Sequence, residues 1–217
     1  MKQIIIAVVV VVGIIVGAMM LGGNDETATV GAVSNNWYGQ ENGIVTVTEY
    51  ADFQCPACAQ FYLLFSQVKE QFKDEVRFEF KHFPLVQIHP NATTAHRAAQ
   101  AAAAQGKFWE MHDLLFEQLQ AWNDSTSATT VFEGYAQQLQ LDLEKYKIDA
   151  ASSDTLSIIN ADIDAGKNLS VTGTPTFFID GKKIETSDIS TVESFTKAIQ
   201  DAIDAKQPPT TESTPQP

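Results

Sequence analysis

The chain holds only two cysteines, and they stand together as Cys55-Pro56-Ala57-Cys58. Two thiols at this spacing, on a helix that begins at the first, share a face and lie within reach of a disulfide. Their natural chemistry is thiol–disulfide exchange: one thiolate attacks and the other resolves the mixed disulfide. At a helix start Cys55 meets unpaired backbone N–H groups and the positive end of the macrodipole, which lowers a thiol's pKa. Cys58, one turn on, points further under the surface and suits the resolving role. A passive staple is the competing use, but a bridge closing so short a loop restricts little chain entropy. A zinc site needs four donors, commonly two such pairs, and there is no second pair.

Little else in the composition competes with that chemistry. His82, His89, His96 and His112 lack the clustered spacing of metal ligands and read as packing or surface residues. No glycine pattern cradles a phosphate, so neither a metal nor an organic cofactor is expected. The net charge of −13, from 27 acidic and 14 basic side chains, repels a phosphate backbone and argues against nucleic acid. A hydrophobic fraction of 44% with 13 phenylalanines suffices for a substantial core.

The elements that must hold the cysteines are legible from periodicity. Ile44 to Tyr50 is β-branched and alternating, a strand with Val45, Val47 and Glu49 on one face. From Pro56 to Phe72 the spacing turns helical, with Phe61, Leu64, Phe65, Val68 and Phe72 in one stripe. Pro56 fits the first turn, where its missing N–H costs nothing. Val76 to Phe83 alternates again, with Val76, Phe78, Phe80 and His82 on one side, completing a βαβ unit. Helical patterns follow over Asn91–Gln105, Phe108–Leu119, Thr129–Leu139, Leu143–Ile148 and Ser152–Asn168. Val171 to Ile184 reads as two strands about a tight Asp180-Gly181 turn. Ser190 to Ala205 closes as an amphipathic helix with Val192, Phe195, Ile199 and Ile203 inward.

The ends differ from this middle. Gln3 to Leu21 is uncharged and rich in Ile and Val, about the length of a bilayer-spanning helix. A cleaved signal peptide is the alternative, but its apolar region is shorter, and Gly17 to Leu21 is a poor cleavage site. Residues 1–21 are therefore expected to be a transmembrane anchor or uncleaved signal. Lys2 before the span, and Asp25 and Glu26 after it, put the N-terminus in the cytoplasm and the rest outside. Outside is also where disulfides are made and persist. Residues 22–36 read as a flexible linker and 207–217, rich in proline, as a disordered tail. The folded domain is expected over 37–206.

The order β-α-β, helical block, β-β-α, together with the stretches Tyr50-Ala-Asp-Phe-Gln-Cys-Pro-Ala-Cys58, Lys81-His-Phe-Pro-Leu85 and Val171-Thr-Gly-Thr-Pro-Thr-Phe-Phe178, resembles the DsbA-like branch of the thioredoxin superfamily. It is most similar to the membrane-tethered bacterial proteins of that group. The resemblance implies an α/β, thioredoxin-like fold with a helical domain inserted at about 90–169, preceded by one N-terminal transmembrane helix. It implies a cis bond before Pro175, with the Thr174-Pro175 loop packed on the cysteine pair and presenting backbone groups to an extended substrate. It makes Glu49 a buried acid that takes up the proton of Cys58; the plainer alternative is a partly exposed acid paired with Lys81. Phe53, just ahead of the motif, is a candidate floor for a peptide groove, with core packing as its other use. The best-known relative carries histidine where this chain has Ala57, and Ala57 cannot support the thiolate in that way. The function implied is an extracytoplasmic oxidoreductase that introduces disulfides into exported proteins through Cys55 and Cys58. Its partners would be exported proteins with reduced cysteines and a membrane redox protein that reoxidises the dithiol. A thiol reductase or isomerase of the same fold is the alternative enzyme, and a non-catalytic module that binds unfolded chains is the alternative outside enzymes.

Overall fold

The alternating apolar run ahead of the cysteines forms the middle strand of a five-stranded sheet. The computed structural model describes residues 33–207. Its strands are β1 (Asn36–Gly39), β2 (Val45–Ala51), β3 (Val76–His82), β4 (Thr176–Ile179) and β5 (Lys182–Ile184), in the order β1-β3-β2-β4-β5. β2 and β3 run parallel, joined by helix α1 (Pro56–Gln71), and the other pairs are antiparallel. A parallel pair needs a crossover connection, and α1 supplies it. The β4–β5 turn places Asp180 at φ 49 and Gly181 at φ 76, the left-handed pair that a two-residue hairpin requires.

Between β3 and β4 the chain leaves the sheet to build a helical subdomain. It comprises α2 (Ala92–Ala103), α3 (Phe108–Glu117), α4 (Leu119–Trp122), α5 (Ala128–Gln138), α6 (Leu143–Ala151) and α7 (Ser153–Asn168). The buried alanines of α2, among them Ala95, Ala98, Ala99 and Ala102, let neighbouring helices approach closely. α6 and α7 begin with Asp142 and Ser152, whose side chains accept the N–H of Lys145 and Thr155. The last helix, α8 (Val192–Lys206), opens with a capping box between Thr191 and Ser194.

Two apolar cores meet across one face of the sheet. Val45, Val47, Val76 and Phe78 pack with Phe65 of α1 and with Phe195 and Ile199 of α8. Further along the same face Ala51 and Phe80 pack with the helical subdomain, including Met111, Leu115 and Trp122. Glu49 sits level with Phe80 in the sheet, at the seam between the two cores. The cysteines follow immediately after this seam.

Three sequence expectations change here. Strand β1 has no forecast in the periodicity, and Asn36, assigned to the linker, lies in it. Ser34 is also part of the fold: it is buried, and its N–H and hydroxyl both donate to the Asp162 carboxylate of α7, at 2.9 and 2.6 Å. These polar contacts carry no apolar period, which is why composition read the segment as tether. The helix expected over Phe108–Leu119 breaks at Gln118 into α3 and α4. The expected anchor at 1–21, most of the linker and the tail from 208 lie outside the described residues. Among the described residues no helix is long and apolar enough to cross a membrane.

Candidate active site

Cys55 is the N-cap of α1, with φ −74° and ψ 122°, and Pro56 follows in the first turn. Its N–H donates to the Asp52 carbonyl at 3.0 Å, which folds residues 52–55 into a turn at the end of β2. Pro56 and Ala57 are exposed, Cys55 is 7% exposed and Cys58 is fully buried. Both are free thiols. The helix start thus leaves the first cysteine slightly exposed and turns the second fully inward.

The two thiols titrate in opposite directions. The hydrogen bond from the Cys58 thiol lowers Cys55 most; burial works against it. The Thr174 hydroxyl and the N–H groups of Cys58 and Ala57 add to the lowering, and the pKa falls to about 5. Cys58 is pushed well above the ordinary thiol value by burial, by its bond to Cys55 and by the charges of Cys55 and Glu49. The arrangement separates an attacking thiolate from a thiol that keeps its proton until needed.

The peptide bond between Thr174 and Pro175 is cis, as the family resemblance implies. This loop lies over the pair: the Thr174 carbonyl accepts from Cys55 Sγ at 3.5 Å. The Thr174 hydroxyl is buried without a geometric hydrogen-bond partner, so it is available to donate when the sulfur ionises. Beside the same loop runs an apolar groove of about 520 Å³, lined by Phe83, Leu85, Val86, Ile163, Val171 and Thr172 among others. Val86 and Ile88 are left 51% and 70% exposed.

Glu49 is 2% exposed. Burial raises its carboxyl, the charge of Lys69 partly offsets this, and the pKa settles at about 8. It is therefore a neutral acid that loses its proton just above neutrality, and its charge acts on the Cys58 thiol. The alternative of an exposed acid paired with Lys81 is overturned. Lys81 Nζ instead donates to the Ser34 carbonyl at 2.5 Å, on the opposite side of the pleat from Glu49. The cation that acts on Glu49 is Lys69 of α1. It is nearly buried, 4.5 Å from the centre of the Tyr38 ring and 4.2 Å from that of Trp109, a geometry that stabilises a desolvated ammonium.

Phe53 does not floor a groove. It is fully buried, stacked 4.9 Å from Phe80 and tilted against Phe116. Its place in the sequence is next to the site, but the turn at residues 52–55 sends its ring into the subdomain core.

Sequence reasoning missed Asp52. Its carboxylate is fully buried and accepts from the N–H of Gln54 and of Leu85, each at 2.8 Å, and pairs with His89 Nδ1 at 2.7 Å. Burial pushes the carboxyl up; the His96 imidazole 3.8 Å away, with the bonds from His89 and the Leu85 N–H, outweighs that and holds it at about 2. One side chain thus ties the cysteine turn to the loop after β3. The histidines, read as separate, are partly joined: His82 and His96 touch through their Nδ1 atoms at 2.7 Å. His112 stands apart in an aromatic cage of Phe53, Tyr62 and Trp109, its pKa lowered by burial to about 4.

Comparison with known proteins bears on this geometry. The family model described as Thioredoxin matches residues 32–201. A Na(+)/H(+) antiporter NhaA 3 of Salinispora tropica is 42% identical over 147 residues, which are 67% of this chain and 21% of that protein. The chain thus spans about a fifth of the length of that relative. Among solved structures, oxidised BdbD from Bacillus subtilis superposes with a TM-score of 0.68 at 21% identity, over 80% of this chain and 99% of that one. Alpha-DsbA1 from Wolbachia pipientis gives 0.68 at 21% identity, over 81% and 94%. The chain belongs to the thioredoxin family, in the DsbA-like form of its fold.

Proposed function

We propose that this protein is an extracytoplasmic thiol–disulfide oxidoreductase, tethered by its N-terminal apolar segment, that introduces disulfides into exported proteins. The observation that carries the reading is the split between the two thiols, Cys55 low and near the surface, Cys58 high and buried. A substrate thiolate attacks the Cys55 sulfur of the Cys55–Cys58 disulfide, and Cys58 leaves as thiolate. Cys58 is reprotonated from Glu49, a reading supported by the burial of that carboxyl and by its charge acting on Cys58. The substrate's second thiolate then displaces Cys55 from the mixed disulfide, so the substrate is oxidised and the enzyme leaves as the dithiol. A membrane redox partner must take the two electrons back.

A low attacking pKa makes Cys55 a good leaving group and stabilises the reduced form, which favours the oxidising direction. The apolar groove beside Val171 and Thr172 suits an extended, unfolded segment, consistent with substrates caught before they fold. The test is the reduction potential of the soluble domain against glutathione, with refolding of a reduced, disulfide-requiring protein by the oxidised form. A potential above about −230 mV with catalysed oxidation supports the proposal; one well below it makes the protein a reductant. Full refolding activity in Cys55→Ser would make it a binding module instead.

A further inference from the structure

The groove beside the redox pair has two walls, and each is fastened to the cysteine turn. One wall leads through Val171 and Thr172 to Thr174, whose carbonyl accepts from Cys55 Sγ. The other is the loop after β3, which turns Phe83, Leu85 and Val86 to the groove. Phe83 is still joined to the sheet, its N–H donating to the Ala51 carbonyl at 3.0 Å. Beyond it the chain folds back on itself: the N–H groups of Ile88 and His89 both donate to the Leu85 carbonyl at 3.0 Å. This small turn leaves the apolar side chains of Val86 and Ile88 exposed.

Asp52 holds that turn. Among the described residues, the two hydrogen bonds that join residues 84–90 to a distant part of the chain both end on Asp52 Oδ2. One comes from the start of the turn, the Leu85 N–H at 2.8 Å. The other comes from its end, His89 Nδ1 at 2.7 Å; an ionised carboxylate only accepts, so this nitrogen carries the hydrogen. The second oxygen, Oδ1, takes the N–H of Gln54 at 2.8 Å, and the Asp52 carbonyl takes that of Cys55 at 3.0 Å. A buried carboxylate is costly to desolvate, and the three hydrogen bonds that offset the cost here all go to these two segments.

We propose that Asp52 is a positioning residue for the substrate: it holds the turn at residues 85–89 against the redox turn, so that an apolar side chain bound at Val86 lies in register with the Cys55 sulfur. The proposal rests on the redox reading of this site and narrows its substrates to segments with an apolar residue beside the reacting cysteine. The lining and its continuity with Cys55 choose that occupant. Residues 83–90 contain no Asp, Glu, Lys or Arg, in a chain of net charge −13. The one charged residue lining the groove, Lys167, is paired with Asp164 at 3.3 Å.

The experiment compares two short peptides, each closed by one disulfide, with leucine or serine beside the cysteines. In the reduced protein the Cys55 thiolate opens the peptide bridge, and Cys58 then displaces the peptide as a dithiol, leaving Cys55–Cys58 oxidised. The native protein should prefer the leucine peptide, with most of the difference in KM. Asp52→Asn and Val86→Ser, each checked for folding, should lower that preference by about three- to tenfold. A change in sulfur reactivity alone would slow both peptides alike, and a merely structural role would leave the preference of the folded protein unmoved. The double variant should lose no more than the larger single loss, because Asp52 acts through the turn that carries Val86. If Asp52→Asn does not fold, His89→Leu cuts the bond at the end of the turn and carries the same expectation. An unmoved preference in the folded variants, or losses that multiply in the double variant, would overturn the proposal. Fluorescence anisotropy of a labelled, cysteine-free leucine peptide reads the groove without redox chemistry, and its affinity should fall by the same factor in Asp52→Asn. A native protein that binds this probe yet opens neither peptide refutes the redox reading and leaves the role of Asp52 in the groove standing. One that does not bind the probe overturns the proposal.

Discussion

Thr174→Val isolates one contribution to the reactivity of Cys55. The substitution keeps the shape, and it keeps the carbonyl that lies 3.5 Å from Cys55 Sγ. What it removes is the hydroxyl, a buried donor with no other partner. A hydrogen bond to a charged group contributes about 1.5–3 kcal/mol in favourable geometry. Here the hydroxyl ranks behind the Cys58 thiol among the groups that lower Cys55, so the lower end applies. At about 1.4 kcal/mol per unit, the loss is about one unit. The midpoint of Cys55 ionisation, about 5 in the native chain, should rise to about 6. The assay is the pH dependence of iodoacetamide alkylation of the dithiol, checked by thiolate absorbance. Below the midpoint the variant should react about tenfold more slowly, and well above it at an equal rate. An unchanged midpoint would refute the hydroxyl's role and leave the Cys58 thiol and the helix start as the only sources of the shift.

Glu49 and Phe53 give two further tests. Because the folded Glu49 titrates at about 8 instead of its ordinary value, the native state binds a proton there that the unfolded chain has released. This contribution to stability is complete below about pH 4.5 and is lost as pH rises toward 8, by up to a few kcal/mol. Urea unfolding of Glu49→Gln should lack that decline, and its disulfide exchange at neutral pH should be slower; an unchanged exchange rate removes Glu49 from the chemistry. Phe53→Ala should cost about 3–5 kcal/mol in urea unfolding, as expected for a fully buried phenylalanine. The folded fraction should keep its KM; a raised KM with stability unchanged would restore Phe53 to the substrate.

Much of the site was legible in sequence because it depends on local rules. Cys55 and Cys58 owe their difference to a strand end, a proline in the first turn and a helical step, all visible as patterns. Glu49 was legible for the same reason: its alternation with Val45 and Val47 puts it on the buried face. The partners were not, because they come from elsewhere in the chain. Lys69 looks like the polar edge of an apolar stripe until Tyr38 and Trp109 close over it. Asp52 reads as a turn residue, and its burial depends on Leu85 and His89 arriving from the loop after β3. His82 did carry a signal, since it continues the buried series Val76, Phe78 and Phe80. A polar residue at the end of such a series asks for a partner, and His96 supplies it. Phe53 shows the converse error, in which nearness along the chain was taken for nearness to the substrate.

The account's central claim is that Cys55 attacks and Cys58 resolves. It is tested most directly by trapping the mixed disulfide. Each single variant, Cys58→Ser and Cys55→Ser, is mixed at about neutral pH with a protein that carries an accessible disulfide. A thiolate that attacks the bridge displaces one substrate sulfur and stays bonded to the other; without the second cysteine the adduct persists. The account predicts a covalent adduct through Cys55 in Cys58→Ser, reversed by reductant, and none at comparable rate in Cys55→Ser. Equal adduct formation through Cys58, or none in either variant, would contradict it.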